Sequence, residues 1–310
     1  MARRESNVVE AIVEIADLRK TYGGVEALAE LNLRVPRGAI CGLLGRNGAG
    51  KTTALKALLG MVRPTSGTVK AHGLAADVPE QSLEIRRRTS FVSEDRDLYS
   101  SMSVAGIVGF AAGLYPRWRA DLAAEYLRKL ELPVERSVKH LSRGMRTKLA
   151  WLLALCAGAE LVILDEPTAG LDPVATEELL QLLVARVARD GVTALLSTHQ
   201  LADIEQVADH VAIIDHGRAL LDAPLDDLRA SYRRVQAVFA GEAPEIAFAT
   251  RGVVSVRRAG RVLTVLVRAD ADGVAAEARA RGAASVDVLP VTLKEIFIET
   301  VAEEKSNGLG

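Results

Sequence analysis

The chain has 310 residues, 49% hydrophobic and 25% charged, the mix of an ordinary globular protein with length for about two domains. Lys+Arg is 39 and Asp+Glu is 40, so the formal net charge is −1, which argues against a constitutive nucleic-acid coat. The two cysteines, Cys41 and Cys156, lie far apart and signal neither a disulfide framework nor a zinc site. The longest apolar stretch, Leu149 to Ala159, has about half of the ~20 residues that a bilayer span needs. The start, MARRESNVVE, has no apolar core behind its arginines, so no secretory leader is expected.

In chain order, Ile12 to Leu33 alternates apolar and polar residues around Gly23-Gly24 and predicts short antiparallel strands. Ala39 to Leu44 is a short apolar run followed by a glycine-rich loop, the pattern of a buried strand. Thr52 to Leu59 reads as a helix that stops at Gly60. Helical spacing recurs over Leu122 to Leu130 and again from Gly144 to Ala157. Leu161 to Leu164 is a buried strand that ends in two acids. Asp172-Pro173 opens a further helix, with Asp as N-cap and Pro at the first position. Val192 to Leu196 and Val211 to Ile214 complete a mainly parallel α/β sheet.

The composition shifts near Leu228. Val253 to Arg258 and Arg261 to Val267 alternate about Ala259-Gly260 and predict a hairpin. A helix over Gly273 to Arg281, a strand near Val286 to Leu289 and a helix over Leu293 to Val301 follow. The expected organisation is a first domain over 1–228, with a helical part at about 95–158, a small α+β domain over 229–302, and a flexible tail over 303–310. The basic residues of the hairpin alternate with valine, as on a solvated face, so nucleic acid is not the expected partner.

Gly45-Arg46-Asn47-Gly48-Ala49-Gly50-Lys51-Thr52 fits G-x-x-x-x-G-K-[ST] between a buried strand and a helix. The glycines let backbone N–H groups converge on phosphate oxygens, and the helix start favours the same anion. Lys51 is the expected partner of the β- and γ-phosphates, and Thr52 would place a hydroxyl on Mg²⁺. Asp165 and Glu166, at the end of a buried strand, supply the complementary chemistry. Asp165 would hold Mg²⁺, and Glu166 would orient or deprotonate an attacking water.

With these motifs in place, the chain resembles the ATP-binding subunit of an ABC transporter over about residues 10 to 225. The resemblance implies an α/β P-loop NTPase of the ABC type, with an antiparallel β subdomain, a helical subdomain and, here, the small C-terminal α+β domain. Tyr22 stands where the family stacks an aromatic ring on adenine, and Thr53 belongs to the nucleotide-binding set with Gly45 to Thr52. Leu141-Ser142-Arg143-Gly144-Met145 matches the signature loop, Ala169-Gly170-Leu171-Asp172 the D-loop, and Ser197-Thr198-His199 the switch histidine. The family implies a head-to-tail dimer with itself or a paralogous ATPase. ATP lies between the phosphate loop of one copy and Ser142, Arg143, Gly144, Met145 and Asp172 of the other. It also implies Glu166 and His199 as catalytic residues, ATP and Mg²⁺ as cofactors, and separate multi-span permease subunits. The location implied is cytoplasmic, peripheral on the inner face of the membrane.

Three positions depart from the family pattern. Arg143 and Met145 replace the usual Gly and Gln of the signature loop, while Ser142 and Gly144 are kept. Glu94 stands where the family has a Mg²⁺-contacting glutamine, and as a carboxylate it can still ligate that ion. Ser-Glu-Asp-Arg-Asp-Leu-Tyr, Tyr115-Pro116-Arg117-Trp118 and the Leu293 to Phe297 segment are similar to exporter ATPases of the bacitracin-resistance type. The alternatives are a soluble ABC ATPase acting on ribosomes or DNA, and an ATP-gated regulatory module with little turnover.

Overall fold

The computed structural model describes residues 10–307, with 303–307 as backbone only. Contacts divide the chain into two compact units, one ending at Asp222 and the other starting at Ala223.

The first unit opens with β1 (Ala11–Tyr22) and β2 (Val25–Pro36), antiparallel around Gly23-Gly24, where φ is 52° and 91°. Val13 and Ile15 on β1, and Leu31, Leu33 and Val35 on β2, are buried, while Glu14 and Arg34 face solvent. This is the two-residue period of a half-buried sheet. β3 (Ile40–Gly45) is buried at every position and leads into α1 (Lys51–Leu58). β4 (Ser66–Ala71) and β5 (Leu74–Ala75) complete an antiparallel sheet of order β2-β1-β4-β5. α2 (Pro79–Arg88) starts on proline and ends on three arginines, the charge that a helix C-terminus favours.

β6 (Thr89–Val92) is followed by three helices, α3 (Val104–Leu114), α4 (Ala120–Lys129) and α5 (Arg143–Cys156). Ser142 caps α5 by accepting from Met145 N at 3.1 Å. β7 (Leu161–Asp165), α6 (Pro173–Asp190), β8 (Thr193–Thr198), α7 (Leu201–Val207), β9 (His210–Asp215) and β10 (Arg218–Pro224) complete the sequence of elements. α6 has the expected Asp172 cap, which accepts from Ala175 N at 2.9 Å, and stops at Gly191 with φ 64°. The second sheet has the order β10-β9-β3-β8-β7-β6, and the β6–β7, β7–β8, β8–β3 and β3–β9 pairings are all parallel. The carboxyl ends of β3, β7 and β8 therefore open along one edge. A buried cluster including Leu18, Leu28, Leu43, Leu55, Leu58, Leu161, Leu195 and Ile214 joins the two sheets through α1. Burying it supplies the main driving force for the unit.

The second unit contains α8 (Leu225–Ser231), β11 (Tyr232–Phe239), β12 (Val253–Ala259), β13 (Val262–Arg268), α9 (Ala271–Ala280), β14 (Ala283–Leu289) and α10 (Leu293–Asn307). Its strands run in the order β12-β13-β11-β14 and all pair antiparallel. Val235, Ala237, Leu263, Val265 and Val267 pack with Val274, Ala275 and Ala278 of α9.

Two expectations need correction. The junction expected at 228/229 falls inside α8, which belongs to the second unit, because Leu225 and Leu228 are buried and α8 runs directly into β11. The tail expected from 303 begins as helix, since α10 continues to Asn307. Residues 308–310 lie outside the described residues.

Candidate functional site

β3 ends at Gly45, and the chain turns tightly before α1. A Cβ on Gly45 would stand 2.5 Å from Ile214 O, and one on Gly50 would stand 2.7 Å from Ala27 O. Gly50 also has φ 102° and leaves α1 without a side-chain cap, so the first backbone N–H groups of the helix are free to meet an anion. Ala49 O accepts from Gly217 N at 3.0 Å, and Gly217 O accepts from Ala29 N at 2.9 Å, strapping the loop to the antiparallel sheet. Lys51 is buried, and its Nζ donates to Gly45 O at 2.8 Å.

The acid pair ends β7. Asp165 is buried, and its carboxylate accepts from Thr52 Oγ1 at 2.8 Å and from Ser197 Oγ. Parallel register sets the second contact, because Asp165 lies opposite Ser197 on β8. Glu166 is buried and has φ 46°, an uncommon conformation for a non-glycine residue, of the kind that clusters at functional sites. Its carboxylate lies 3.4 Å from Lys51 Nζ, 2.9 Å from His199 Nδ1 and 3.3 Å from the Thr198 hydroxyl. An ionised carboxylate only accepts, so His199 Nδ1 is the donor of that bond. The Glu166 amide donates to Ser197 O at 2.9 Å. Arg96 Nη2 donates to the Glu166 carbonyl at 2.5 Å. Burial pulls the Arg96 guanidinium below its ordinary pKa, and neighbouring Arg143 adds to this.

These groups border a cavity of about 290 Å³ lined by Arg46 to Thr53, Ala27, Glu94, Glu166 and His199. It lies at the carboxyl ends of parallel strands, where open α/β sheets bind ligands. Among the sequence-derived candidates, Arg46, Asn47, Gly48, Ala49, Gly50, Lys51, Thr52, Thr53, Glu94, Glu166 and His199 line it. Asp165 sits behind Thr52, and Gly45 anchors Lys51. Tyr22 does not line the cavity; it is half exposed at the end of β1, with Lys20 Nζ 4.8 Å from its ring centroid. Ser142, Gly144, Met145 and Asp172 line a second cavity, of about 430 Å³, with Lys148 and Leu171. Arg143 turns away from it onto Gly170, where a Cβ would meet Arg143 Nε at 2.8 Å. The backbone N–H of Ala175 holds the Asp172 carboxyl below the usual carboxylate range.

Sequence reasoning missed Ser197, Thr198, Ala27 and Arg96 as parts of the site. The first two were legible as neighbours of His199 at a strand end. Arg96 and Ala27 carried no local signal, since each meets the site only across the fold.

A family model described as ABC transporter matches residues 28–169. The bacitracin transport ATP-binding protein BcrA of Bacillus licheniformis is 35% identical over 229 residues, 73% of this chain and 74% of that protein. The chain belongs to the ABC transporter ATP-binding family. A second member of that family, the ABC transporter ATP-binding protein YtrB of Bacillus subtilis, is 28% identical over 287 residues, 93% of this chain and 97% of its own length. A solved structure titled as the ATP-binding subunit of an ABC transporter superposes with a TM-score of 0.64 at 32% identity, covering 71% of this chain and 92% of that one. As in other ABC ATPases, the phosphate loop and the acid pair form one site, and the chain is an ATPase. No helix among the described residues is long and apolar enough to cross a membrane.

Proposed function

We propose that this chain is the ATPase subunit of a multi-chain exporter, closing on ATP as a head-to-tail dimer and reopening after hydrolysis. The observation that carries the reading is the single cavity in which the phosphate loop, Glu94, Glu166 and His199 meet. The phosphate-loop N–H groups and Lys51 bind the β- and γ-phosphates. Glu166 takes the proton of the attacking water on its carboxylate, which His199 and Thr198 hold in place. Ser142, Gly144, Met145 and Asp172 line a separate cavity, with Arg143 beside it against Gly170, which suits a role at the nucleotide of a second copy. Tyr22 is exposed in the manner of a ring that receives adenine.

The donor set fits Mg²⁺. Thr52 and Asp165 are in contact, Glu94 lines the same cavity, and all three offer hard oxygen ligands. When bound, Mg²⁺ would neutralise charge on the phosphates.

The permease reading draws on a second feature. Phe91, Leu98, Tyr99, Phe110, Leu114 and Tyr115 border an apolar groove of about 210 Å³. Tyr99 and Leu114 are exposed, and Tyr99 meets Phe110 edge to face at 5.5 Å. In the family, the segment 98–118 lies near the transmembrane partner, and the subunit is peripheral on the inner face of the membrane.

Tagged Glu166→Gln protein tests the whole reading. Light scattering is expected to show a dimer with Mg-ATP and a monomer with Mg-ADP. Purification from detergent-solubilised native membranes is expected to bring a stoichiometric multi-span protein. A monomer at saturating ATP removes the role of the second cavity. Recovery only from the soluble fraction, alone or with ribosomes or DNA, replaces the exporter by the soluble or regulatory alternative.

A further inference from the structure

Residues Ser93 to Arg96 form one turn, closed by Arg96 N donating to Ser93 O at 3.2 Å. The turn carries Glu94 to the wall of the phosphate cavity. It also carries Arg96, which has φ 50° and a half-buried side chain. From there the guanidinium reaches across the fold, and Nη2 donates to the Glu166 carbonyl. Arg96 Nε is buried without a hydrogen-bond partner, so this part of the guanidinium has lost water without gaining a partner. Leaving that donor buried and unpaired carries a desolvation cost. What the guanidinium joins is specific: two non-glycine residues with left-handed backbone, Arg96 and Glu166, linked by one bond.

We propose that Arg96 is a positioning residue for hydrolysis. Its guanidinium locks the Ser93–Arg96 turn to the end of β7 and so holds the Glu166 peptide, and with it the Glu166 carboxylate, in register with Glu94 across the cavity. The inference rests on Glu166 being the acid that handles the attacking water. Arg96 borders the apolar groove rather than the phosphate cavity, so it acts through Glu166 and does not touch the nucleotide. It is the side chain that faces the groove while bonded to the catalytic acid's own backbone. A shift of the groove wall would therefore reach Glu166 through one hydrogen bond. The planar, many-donor head of arginine suits this task, because it stays charged and fixes direction as well as distance.

The test compares the full-length wild type with Arg96→Met, Arg96→Lys, Glu166→Gln and the double variant Arg96→Met/Glu166→Gln. Arg96→Met keeps the buried stem and removes every donor; Arg96→Lys keeps one cationic donor. Steady-state Mg-ATP hydrolysis gives kcat and KM, a fluorescent ATP analogue gives nucleotide affinity, and single-turnover hydrolysis reads the slow variants. Arg96→Met is expected to lose about tenfold in kcat, the scale of a sub-ångström misplacement, with KM and affinity within about twofold. Arg96→Lys is expected to recover several-fold of that loss. In the Glu166→Gln background, Arg96→Met is expected to add no further loss, because the residue acts through the carboxylate already removed. A kcat unchanged in Arg96→Met while Glu166→Gln is impaired overturns the proposal alone. So does a full tenfold loss repeated in the double variant. Wild-type turnover in Glu166→Gln overturns the reading of Glu166 and the proposal with it. If Arg96→Met does not fold, as read by its thermal melt, Arg96→Lys carries the same cycle: a partial kcat loss that disappears on Glu166→Gln supports the role, and an unchanged kcat or an additive loss overturns it.

Discussion

Strand β7 has a glutamate just beyond each end, and the two are treated in opposite ways. Glu160, before its start, is met by arginines from three separate parts of the chain. Arg88 grips it with two bonds, at 3.1 and 2.7 Å, Arg117 lies at 3.1 Å and Arg37 at 3.7 Å. Its amide donates to Arg88 O and its carbonyl accepts from Thr193 N, both at 2.9 Å. Glu166, after the end, has one lysine, one histidine and one hydroxyl, and it borders a cavity. Burial does not account for the pinning, since the pinned side chain, Glu160, is the more exposed at 28% against 8% for Glu166. The count of fixed positive charges does. A carboxylate surrounded by guanidinium groups is pinned and kept ionised, with most of its lone pairs used. One with fewer cations at its oxygens retains an acceptor for water.

The largest expected effect lies at the catalytic end. Glu166→Gln should lower kcat by about a hundredfold or more while ATP affinity stays within a few-fold, since only the proton acceptor is removed. Near-normal turnover would erase the contrast between the two ends. At the other end, Glu160→Gln should leave kcat within about twofold but cost of order 2 kcal/mol, lowering the melting temperature by about 6 °C, because three arginines lose their shared counter-charge. A turnover loss without a stability loss would reverse the assignment of roles.

Acid should probe the same cluster. Arg88, through its hydrogen bonds, is the largest influence holding the Glu160 carboxyl at about 2, below its ordinary 4.5, so that stability is complete above pH 4.5 and lost as pH falls toward 2. Burial, with Arg88 and Arg37 nearby, holds His72 at about 4, below its ordinary 6.5. Its neutral form is the folded one, so this contribution is complete above pH 6.5 and lost as pH falls toward 4. Melting temperatures measured from pH 7 to pH 3 should therefore begin to fall near pH 6.5. Glu160→Gln should reduce the lower part of that fall and leave its onset near pH 6.5. The smallest effect is expected at Glu94. Glu94→Gln should keep ATP affinity and change hydrolysis or its coupling by less than about tenfold, and equal turnover and transport in variant and wild type would show that this carboxylate does not serve the site.

Features built within one turn of chain were legible in the sequence. Gly45 to Thr52 declare their loop because its glycines and the Lys-Thr pair stand at fixed spacing, with a left-handed φ at Gly50 that favours glycine. Ser142 and Asp172 declare their caps because each bonds an amide three residues ahead. The elements that escaped notice lacked such signals. β6 buries Thr89 and Ser90, so its sequence does not read as apolar, and α3 contains Gly106, Gly109 and Gly113. β11, an inner strand of the second unit, lacks the glycine turn that marks its hairpin neighbours.

The sequence by itself determined the phosphate loop, the acid pair, the helix caps and the family to which they belong, because each is a short-range pattern whose spacing is its function. Only the tertiary structure decided which carboxylate would be pinned and which left to act. Glu160 and Glu166 are the same residue at the two ends of one strand. Their difference is made by Arg37, Arg88 and Arg117 at one end and by Lys51, Arg96, Thr198 and His199 at the other. These come from separate parts of the chain and meet only when the parallel sheet closes, where distance and desolvation rather than sequence spacing set the charge around each acid.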